Sequence, residues 1–484
     1  MLDKKQTHIP ELLDCLFIIP PYISGKASTF RAFEYTMPPL GVLYIAAYLR
    51  ENKHTVDFLD FSKQKTCKDK EKHLQLLQNK YTQITYIGFS ISTPAAYNAY
   101  KLINTFKLIF PNAKIIAGGP HVIGLKHTIL NECADIDFAI DGEGEIPMGM
   151  LLDNKPLDEI PGLIYRKELN IISNPVNNKA DLNKIPIPAL DLIDFTGYGP
   201  QFSSVSNPYK MAGLFTSRGC PFKCIFCTRV TGSSLRFSPI GKIIAQILFF
   251  KNKWHITHFI FYDDTFTADK KFVNDVCEAI LEKCYGITWI CHGRVDTIDE
   301  PLLNIMKKAG CKSIYYGVES MDENVLKSIK KGTSTEQIKK AILLTKKVGI
   351  EVKISVLLGL PADTKESLLY TSNELVKLKA DYIMLFVLTP FPGSEIYQTA
   401  LAENRIKTHN WSDYNLSNYI YKHDTLTEKD IMYFQKLMYR KFYLRFAILI
   451  MFLKKLTSLK ALKALLIGFW GLLKLLFIHK QITD

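Results

Sequence analysis

Three cysteines crowd into eight residues of the stretch Arg218-Gly-Cys-Pro-Phe-Lys-Cys-Ile-Phe-Cys, placing Cys220, Cys224 and Cys227 in a C-x3-C-x2-C spacing. That spacing lets three thiolates converge from one loop. Three thiolates hold three irons of a cubane cluster and leave the fourth iron open, as a binding site for a substrate or cofactor. A four-cysteine zinc or ferredoxin centre needs another ligand nearby. The remaining cysteines, at 15, 67, 133, 277, 284, 291 and 311, stand far off and apart in the sequence and read as buried thiols. Ten cysteines in 484 residues are too few for a disulfide scaffold, so the crowding points to metal ligation in a reducing compartment.

The elements that position this loop follow from hydrophobic periodicity. From residue 212 onward, short apolar runs at 212–217, 257–262, 287–292, 312–318, 350–358 and 382–388 alternate with helix-length segments, as in a parallel barrel or partial barrel. The cysteines follow the first of these strands, at the carboxyl end where barrel enzymes keep their chemistry. An earlier alternation, with strands at 15–20, 55–60, 84–90, 113–117 and 137–141, describes a doubly wound α/β domain. Its helices are expected to begin near Pro39, Lys70, Pro94, His121 and Glu145. The organisation expected is therefore a domain over 1–152, a Pro-rich connector over 153–205 with a hairpin near 162–172, a barrel over 206–400 and a helical region over 401–484.

Composition bounds the rest. The chain has 47% apolar and 22% charged residues, as a globular protein does, and its length allows two or three domains. A net charge of +14 favours anionic partners. No stretch interleaves aromatic and basic residues along one element, so nucleic acid is not expected. The start reads as no secretory leader, which suggests a cytoplasmic protein. The tail over 442–484 is apolar and aromatic, with lysines at 454, 455, 460, 463 and 474, and its runs fall short of the ~20 residues that span a bilayer. It reads either as an interfacial segment in peripheral contact with the inner face of a membrane, or as helices packed on the barrel.

The cysteine spacing, with Phe226 just before the third cysteine, resembles the hallmark of the radical S-adenosylmethionine (radical SAM) superfamily. The resemblance implies a [4Fe–4S] cluster whose open iron chelates S-adenosylmethionine and whose electron cleaves it to methionine and a 5′-deoxyadenosyl radical. It also implies roles at the other strand ends. Asp263 and Asp264, in Tyr-Asp-Asp-Thr-Phe, occupy the place of the segment that meets the methionine amino group, although the commoner Gly-Gly-Glu is replaced. Arg294 is expected to pair with the cofactor carboxylate. Glu319 is expected to accept from ribose hydroxyls or the ammonium, unless it only caps a helix. Gly359 is expected to let adenine approach backbone.

Preceding such a barrel, the first domain resembles the cobalamin-binding module of the cobalamin-dependent branch. The matching segments are Pro-Pro-Leu-Gly at 38–41, Ser-Ile-Ser at 90–92, Gly-Gly-Pro-His at 118–121, Asp-Gly-Glu-Gly-Glu at 141–145 and Ile-Pro-Ile-Pro-Ala-Leu at 185–190. The resemblance covers about residues 14–400 and implies cobalamin contacts at Leu40, Gly41, Ser90, Ser92, Gly118, Gly119 and Pro120. The Asp-x-His-x-x-Gly cobalt ligand of other cobalamin proteins is absent, and His121 is a candidate substitute. No G-x-G-x-x-G follows the first strand, which counts against a dinucleotide fold.

The fold expected is α/β: an N-terminal doubly wound, Rossmann-like cobalamin-binding domain, a partial (β/α)6 TIM-like radical SAM barrel and a helical C-terminal region. The function expected is methylation of an unactivated carbon on a small, hydrophobic or lipid-like substrate, with a flavodoxin or ferredoxin as electron donor. Oxidative cyclisation or rearrangement, and a non-catalytic iron–sulfur or cobalamin-binding sensor, are the alternatives.

Overall fold

The computed structural model describes residues 11–21, 37–63, 67–177, 179–195, 198, 211–446, 448 and 450. These fall into two compact units, one of Met1–Ile23 with Pro39–Asp194 and the other of Ser24–Pro38 with Phe195–Asp484.

The first unit is built on one sheet. Strands β1 (Glu11–Ile19), β2 (Val56–Asp60), β3 (Tyr81–Ser90), β4 (Lys114–Gly118) and β5 (Phe138–Ile140) pair in parallel in the order β2-β1-β3-β4-β5. In β1, Leu13, Cys15, Leu16, Phe17 and Ile18 are all buried, the near-continuous apolar run of a central parallel strand covered on both faces. The helices Leu40–Glu51, Cys67–Lys80, Ala96–Ile109, Pro120–Leu125 and Glu145–Leu152 connect the strands. The strand order reverses between β1 and β3, and such a switch opens a crevice beyond the carboxyl ends of the strands. The expected hairpin is present as β6 (Leu163–Lys167) and β7 (Asn170–Ser173), and it extends this same sheet in antiparallel fashion beside β5. Val42, Ala46 and Leu49 of one helix share a core with Met148 and Leu151 of another and with Ile160, Leu163 and Ala189. Ala189 N–H donates to Leu43 O at 3.0 Å, which seats the Ile-Pro-Ile-Pro-Ala-Leu segment on the first unit.

The second unit is an open, all-parallel sheet of six strands in chain order: β8 (Met211–Leu214), β11 (His258–Phe261), β12 (Thr288–Gly293), β13 (Cys311–Glu319), β14 (Glu351–Leu358) and β15 (Tyr382–Val387). A short antiparallel pair, β9 (Ser217–Arg218) with β10 (Arg236–Phe237), brackets the cysteine loop. A sheet that does not close has an edge whose backbone groups need partners. At β15 they come from the helix Glu428–Tyr443. Leu385 N–H donates to the Tyr439 hydroxyl at 3.0 Å, Gln435 Nε2 donates to Leu385 O at 3.1 Å, and the Tyr443 hydroxyl bridges Ile383 N–H and O. Thr427 starts that helix with a capping box to Asp430. The apolar run expected from 442 thus begins inside the fold, with Phe442 fully buried and Arg445 donating to Val376, Leu378 and Ala380 carbonyls. The rest of the tail lies outside the described residues. Among the described residues no helix is long and apolar enough to cross a membrane.

Candidate functional site

The cysteine loop leaves β9 through a position that only glycine fits. Gly219 sits at φ 96°, and a Cβ there would lie 2.1 Å from the Ser234 carbonyl oxygen. Its N–H donates to Thr231 Oγ1 at 2.8 Å, and Thr231 in turn donates to Asp264 Oδ2 at 3.0 Å. Cys220 N–H donates to Gly232 O, Cys227 N–H to Cys224 O, and Ile225 is held between Ile329 O and Ile396 N–H. The loop is therefore pinned by backbone bonds on both sides while its thiols stay partly accessible: Cys220 and Cys224 are half-buried and Cys227 is exposed.

The surroundings of the thiols favour a cationic centre. The Cys227 thiol is pushed up to about 12, first by desolvation of its sulfur and then by Asp264, Cys220 and Cys224, so it stays protonated unless a cation offsets the charge of its thiolate. Arg294 Nη1 donates to Cys224 Sγ at 4.0 Å, and Thr265 Oγ1, which gives its proton to Asp264 O at 2.7 Å, lies 3.9 Å from Cys220 Sγ. Among the described residues no three His, Cys, Asp or Glu side chains converge as ligands of a single metal ion do. A cubane takes one thiolate per iron, so its sulfurs need no such convergence, and the donor set fits a three-thiolate cluster. Cys15, Cys133, Cys277, Cys284, Cys291 and Cys311 are all buried free thiols.

The strand-end residues surround this loop in distinct ways. Asp263 is fully buried and spends Oδ1 on Thr216 and Ser217, whereas Asp264 beside it is exposed. Arg294 is buried, forms a bidentate pair with Asp296 at 2.9 Å on both contacts, donates to Lys331 O at 2.9 Å and lies 3.6 Å over the Phe222 ring. Its guanidinium is thus engaged within the protein, and it reads as a brace for the cysteine loop. Glu319 is buried at φ 64°, a strained conformation of the kind that clusters at functional sites, and accepts from Lys331 Nζ at 2.8 Å. Lys331 also lies 5.8 Å from the Phe226 ring centroid. Gly359, at φ 82°, faces Ile431, which would lie 3.2 Å from a Cβ there. Sequence reasoning missed Lys331, Asp296 and Thr231 and gave Phe222, inside the loop itself, no role; only the tertiary fold brings Lys331 and Asp296 to the cysteines, and no spacing marks them.

In the first unit the carboxyl ends of β3 and β4 carry Ser90, Ser92, Gly118, Gly119 and Pro120. A Cβ at Gly41 or Gly118 would meet nothing within 4 Å, so both open toward space that a large ligand can fill. Leu40 is buried at the start of its helix. In the acidic turn, Glu143 and Glu145 are buried, and Glu143 accepts from Ala180 N–H at 2.9 Å, a structural bond. His121 is fully buried, with Nδ1 at 3.3 Å from Thr93 Oγ1 and Nε2 at 3.1 Å from the Tyr100 hydroxyl, so neither ring nitrogen is spare for cobalt.

Comparison with known proteins agrees with both halves. Residues 214–375 match the Radical SAM superfamily and residues 29–152 match the B12 binding domain. The chain is 31% identical over 452 residues to the "Uncharacterized methyltransferase PH0819" of Pyrococcus horikoshii, covering 91% of this chain and 94% of that protein. It is 26% identical to the anaerobic magnesium-protoporphyrin IX monomethyl ester cyclase of Rubrivivax gelatinosus, over 90% of this chain and 78% of the relative. Among solved structures it shares its fold with the cobalamin-dependent S-adenosylmethionine radical enzyme OxsB at a TM-score of 0.73 and 17% identity, over 96% of this chain and 72% of that one. The chain belongs to the cobalamin-dependent radical SAM enzymes, whose cofactors are a [4Fe–4S] cluster, S-adenosylmethionine and cobalamin.

Proposed function

We propose that the protein methylates an unactivated carbon of a small hydrophobic substrate. The observation that carries the reading is the pinned three-cysteine loop at the carboxyl end of an open parallel barrel, in a chain that also holds a B12 binding domain. When bound, the cluster supplies the electron that cleaves S-adenosylmethionine to a carbon radical, and cobalamin carries the methyl group. Cys220, Cys224 and Cys227 would hold the irons. Phe226, Asp264, Lys331 and Glu319 would border the open corner, and Glu319 and Lys331 would have to exchange their mutual bond for the amino and carboxylate groups of the methionine half. Asp263 and Arg294 would act by holding the loop in place. Gly41, Ser90, Ser92 and Gly118 to Pro120 would line the cobalamin.

A reduced flavodoxin or ferredoxin would supply electrons in the cytoplasm. The basic, apolar stretch beyond residue 450, with lysines at 454, 455, 460, 463 and 474, supports a substrate gathered at the inner face of the membrane. Ring closure is the second reading, favoured by the cyclase relative.

The experiment is anaerobic reconstitution, iron and corrinoid analysis, and incubation with reductant, methyl-labelled S-adenosylmethionine and candidate lipids. Labelled product with 5′-deoxyadenosine is the expected result. Formation of 5′-deoxyadenosine without transfer of label would favour cyclisation, and its absence would leave only a sensor. Replacing any of the three cysteines by serine should remove the cluster absorption.

A further inference from the structure

The loops after β3 and β4 are joined by backbone bonds. Ile91 N–H donates to Gly118 O at 2.8 Å, and His121 N–H donates to Ile91 O at 3.0 Å. Gly119, at φ 93°, lets the two loops touch, since a Cβ there would lie 3.0 Å from both the nitrogen and the oxygen of Ile91. Behind this junction the fully buried His121 ring links three elements. It meets Thr93, in the loop after β3, and Tyr100, on the helix Ala96–Ile109, from its own place after β4.

The direction of the chain of bonds follows from its far end. The Tyr100 hydroxyl donates its one proton to Glu132 Oε2 at 2.6 Å, so its oxygen accepts from His121 Nε2–H. Nε2 also lies 3.7 Å from Glu132 Oε2, and on the other side of the ring Nδ1 meets the Thr93 hydroxyl at 3.3 Å. An apolar residue of similar size would leave the buried Thr93 hydroxyl without this partner.

We propose that His121 is a positioning residue for cobalamin, fixing through Thr93 the separation between Ser90–Ser92 and Gly118–Gly119, the two loops offered to the cofactor. The proposal rests on the cobalamin reading of this domain. It assigns the histidine a place behind the cofactor's cradle and gives it no bond to cobalt.

Two amides separate this role from simple core filling. Asparagine places its carbonyl where Nδ1 stands and can keep the Thr93 bond, whereas glutamine reaches the Nε2 position and keeps only the Tyr100 bond. The full chain, anaerobically reconstituted, is titrated with hydroxocobalamin by visible absorption, with iron per chain and the unfolding midpoint as controls. His121→Asn should bind close to the wild type. His121→Gln and Thr93→Val should bind about tenfold more weakly, the scale of losing a partner that orients a ligand-binding group, with iron content unchanged. Equal affinities for the Asn and Gln variants, wild-type affinity for Thr93→Val, or a parallel loss of iron would overturn the proposal. A wild-type chain that takes up no corrinoid would overturn the cobalamin reading itself and the proposal with it.

Discussion

Thr216 donates two hydrogen bonds to one carboxylate oxygen of Asp263, from its backbone N–H at 2.9 Å and its hydroxyl at 3.0 Å. Ser217 adds its hydroxyl at 2.7 Å and its own N–H, so four donors converge on Oδ1. The segment that launches the cysteine loop therefore hangs on a carboxylate that follows the neighbouring strand β11. Alanine at 263 would leave four donors around an empty acceptor site, a cost of about 1–3 kcal/mol for each group left unpaired, whereas asparagine keeps an acceptor oxygen at the same place. Asp263→Ala should lower both the unfolding midpoint and the iron bound per chain after reconstitution. Asp263→Asn should retain most of the iron.

Gly219 offers a sharper test of the same loop. The Ser234 carbonyl oxygen, 2.1 Å from where an added Cβ would stand, is backbone and has no flexible end to swing away. Gly219→Ala should therefore displace Cys220 relative to Cys224 and Cys227 and abolish the visible absorption of the cluster. Far-ultraviolet circular dichroism should remain that of a folded α/β protein, because the distortion is confined to the turn.

How far the sequence disclosed this arrangement depends on the range of the interactions. The central strands were legible because β1 and β14 end in the apolar runs Cys15–Ile19 and Val356–Leu358, and the cysteine loop because its ligands are neighbours in the chain. The hairpin β6–β7 was legible as a hairpin, but its pairing with β5 depends on sheet register, which local pattern does not fix. Arg294 illustrates the limit. A basic residue at a strand end invites an anionic ligand, yet here Asp296 takes Nε and Nη2 of the guanidinium, Cys224 faces Nη1 and Phe222 covers its face. Nor does any periodicity say that Tyr439, Tyr443 and Gln435 would serve the edge of β15.

Asp363 should make stability depend on pH. It is buried and accepts from Gly359 N–H at 3.0 Å, Leu360 N–H at 2.9 Å and the Ser367 hydroxyl at 3.2 Å. Burial outweighs these bonds and raises its carboxyl to about 7. The unfolded chain releases this proton near pH 4, so between about pH 4 and 7 the native state binds more protons than the unfolded one. Stability from this group is therefore greatest at the acid end of that window and falls as pH rises, by up to about 1.4 kcal/mol per pH unit. Urea unfolding at pH 5 and pH 8 should show this decline in the wild type and a smaller one in Asp363→Asn.

The helix Glu428–Tyr443 should behave as part of the barrel, and the tail beyond it should not. Tyr439→Phe leaves Leu385 N–H without its partner on an otherwise buried edge, a loss of about 1–3 kcal/mol. Ending the chain before residue 428 removes Gln435, Tyr439 and Tyr443, which bond β15 at Ile383 and Leu385, and an uncovered parallel edge pairs with other copies. Size-exclusion chromatography should show that shortened chain aggregated, whereas a chain ending after residue 450 should stay in its native oligomeric state and keep its iron. The longer chain should also lose affinity for anionic vesicles, because the lysines at 454, 455, 460, 463 and 474 go with the segment removed. Unchanged vesicle binding after that cut would place any membrane contact elsewhere on the protein and remove the support for a substrate drawn from the bilayer.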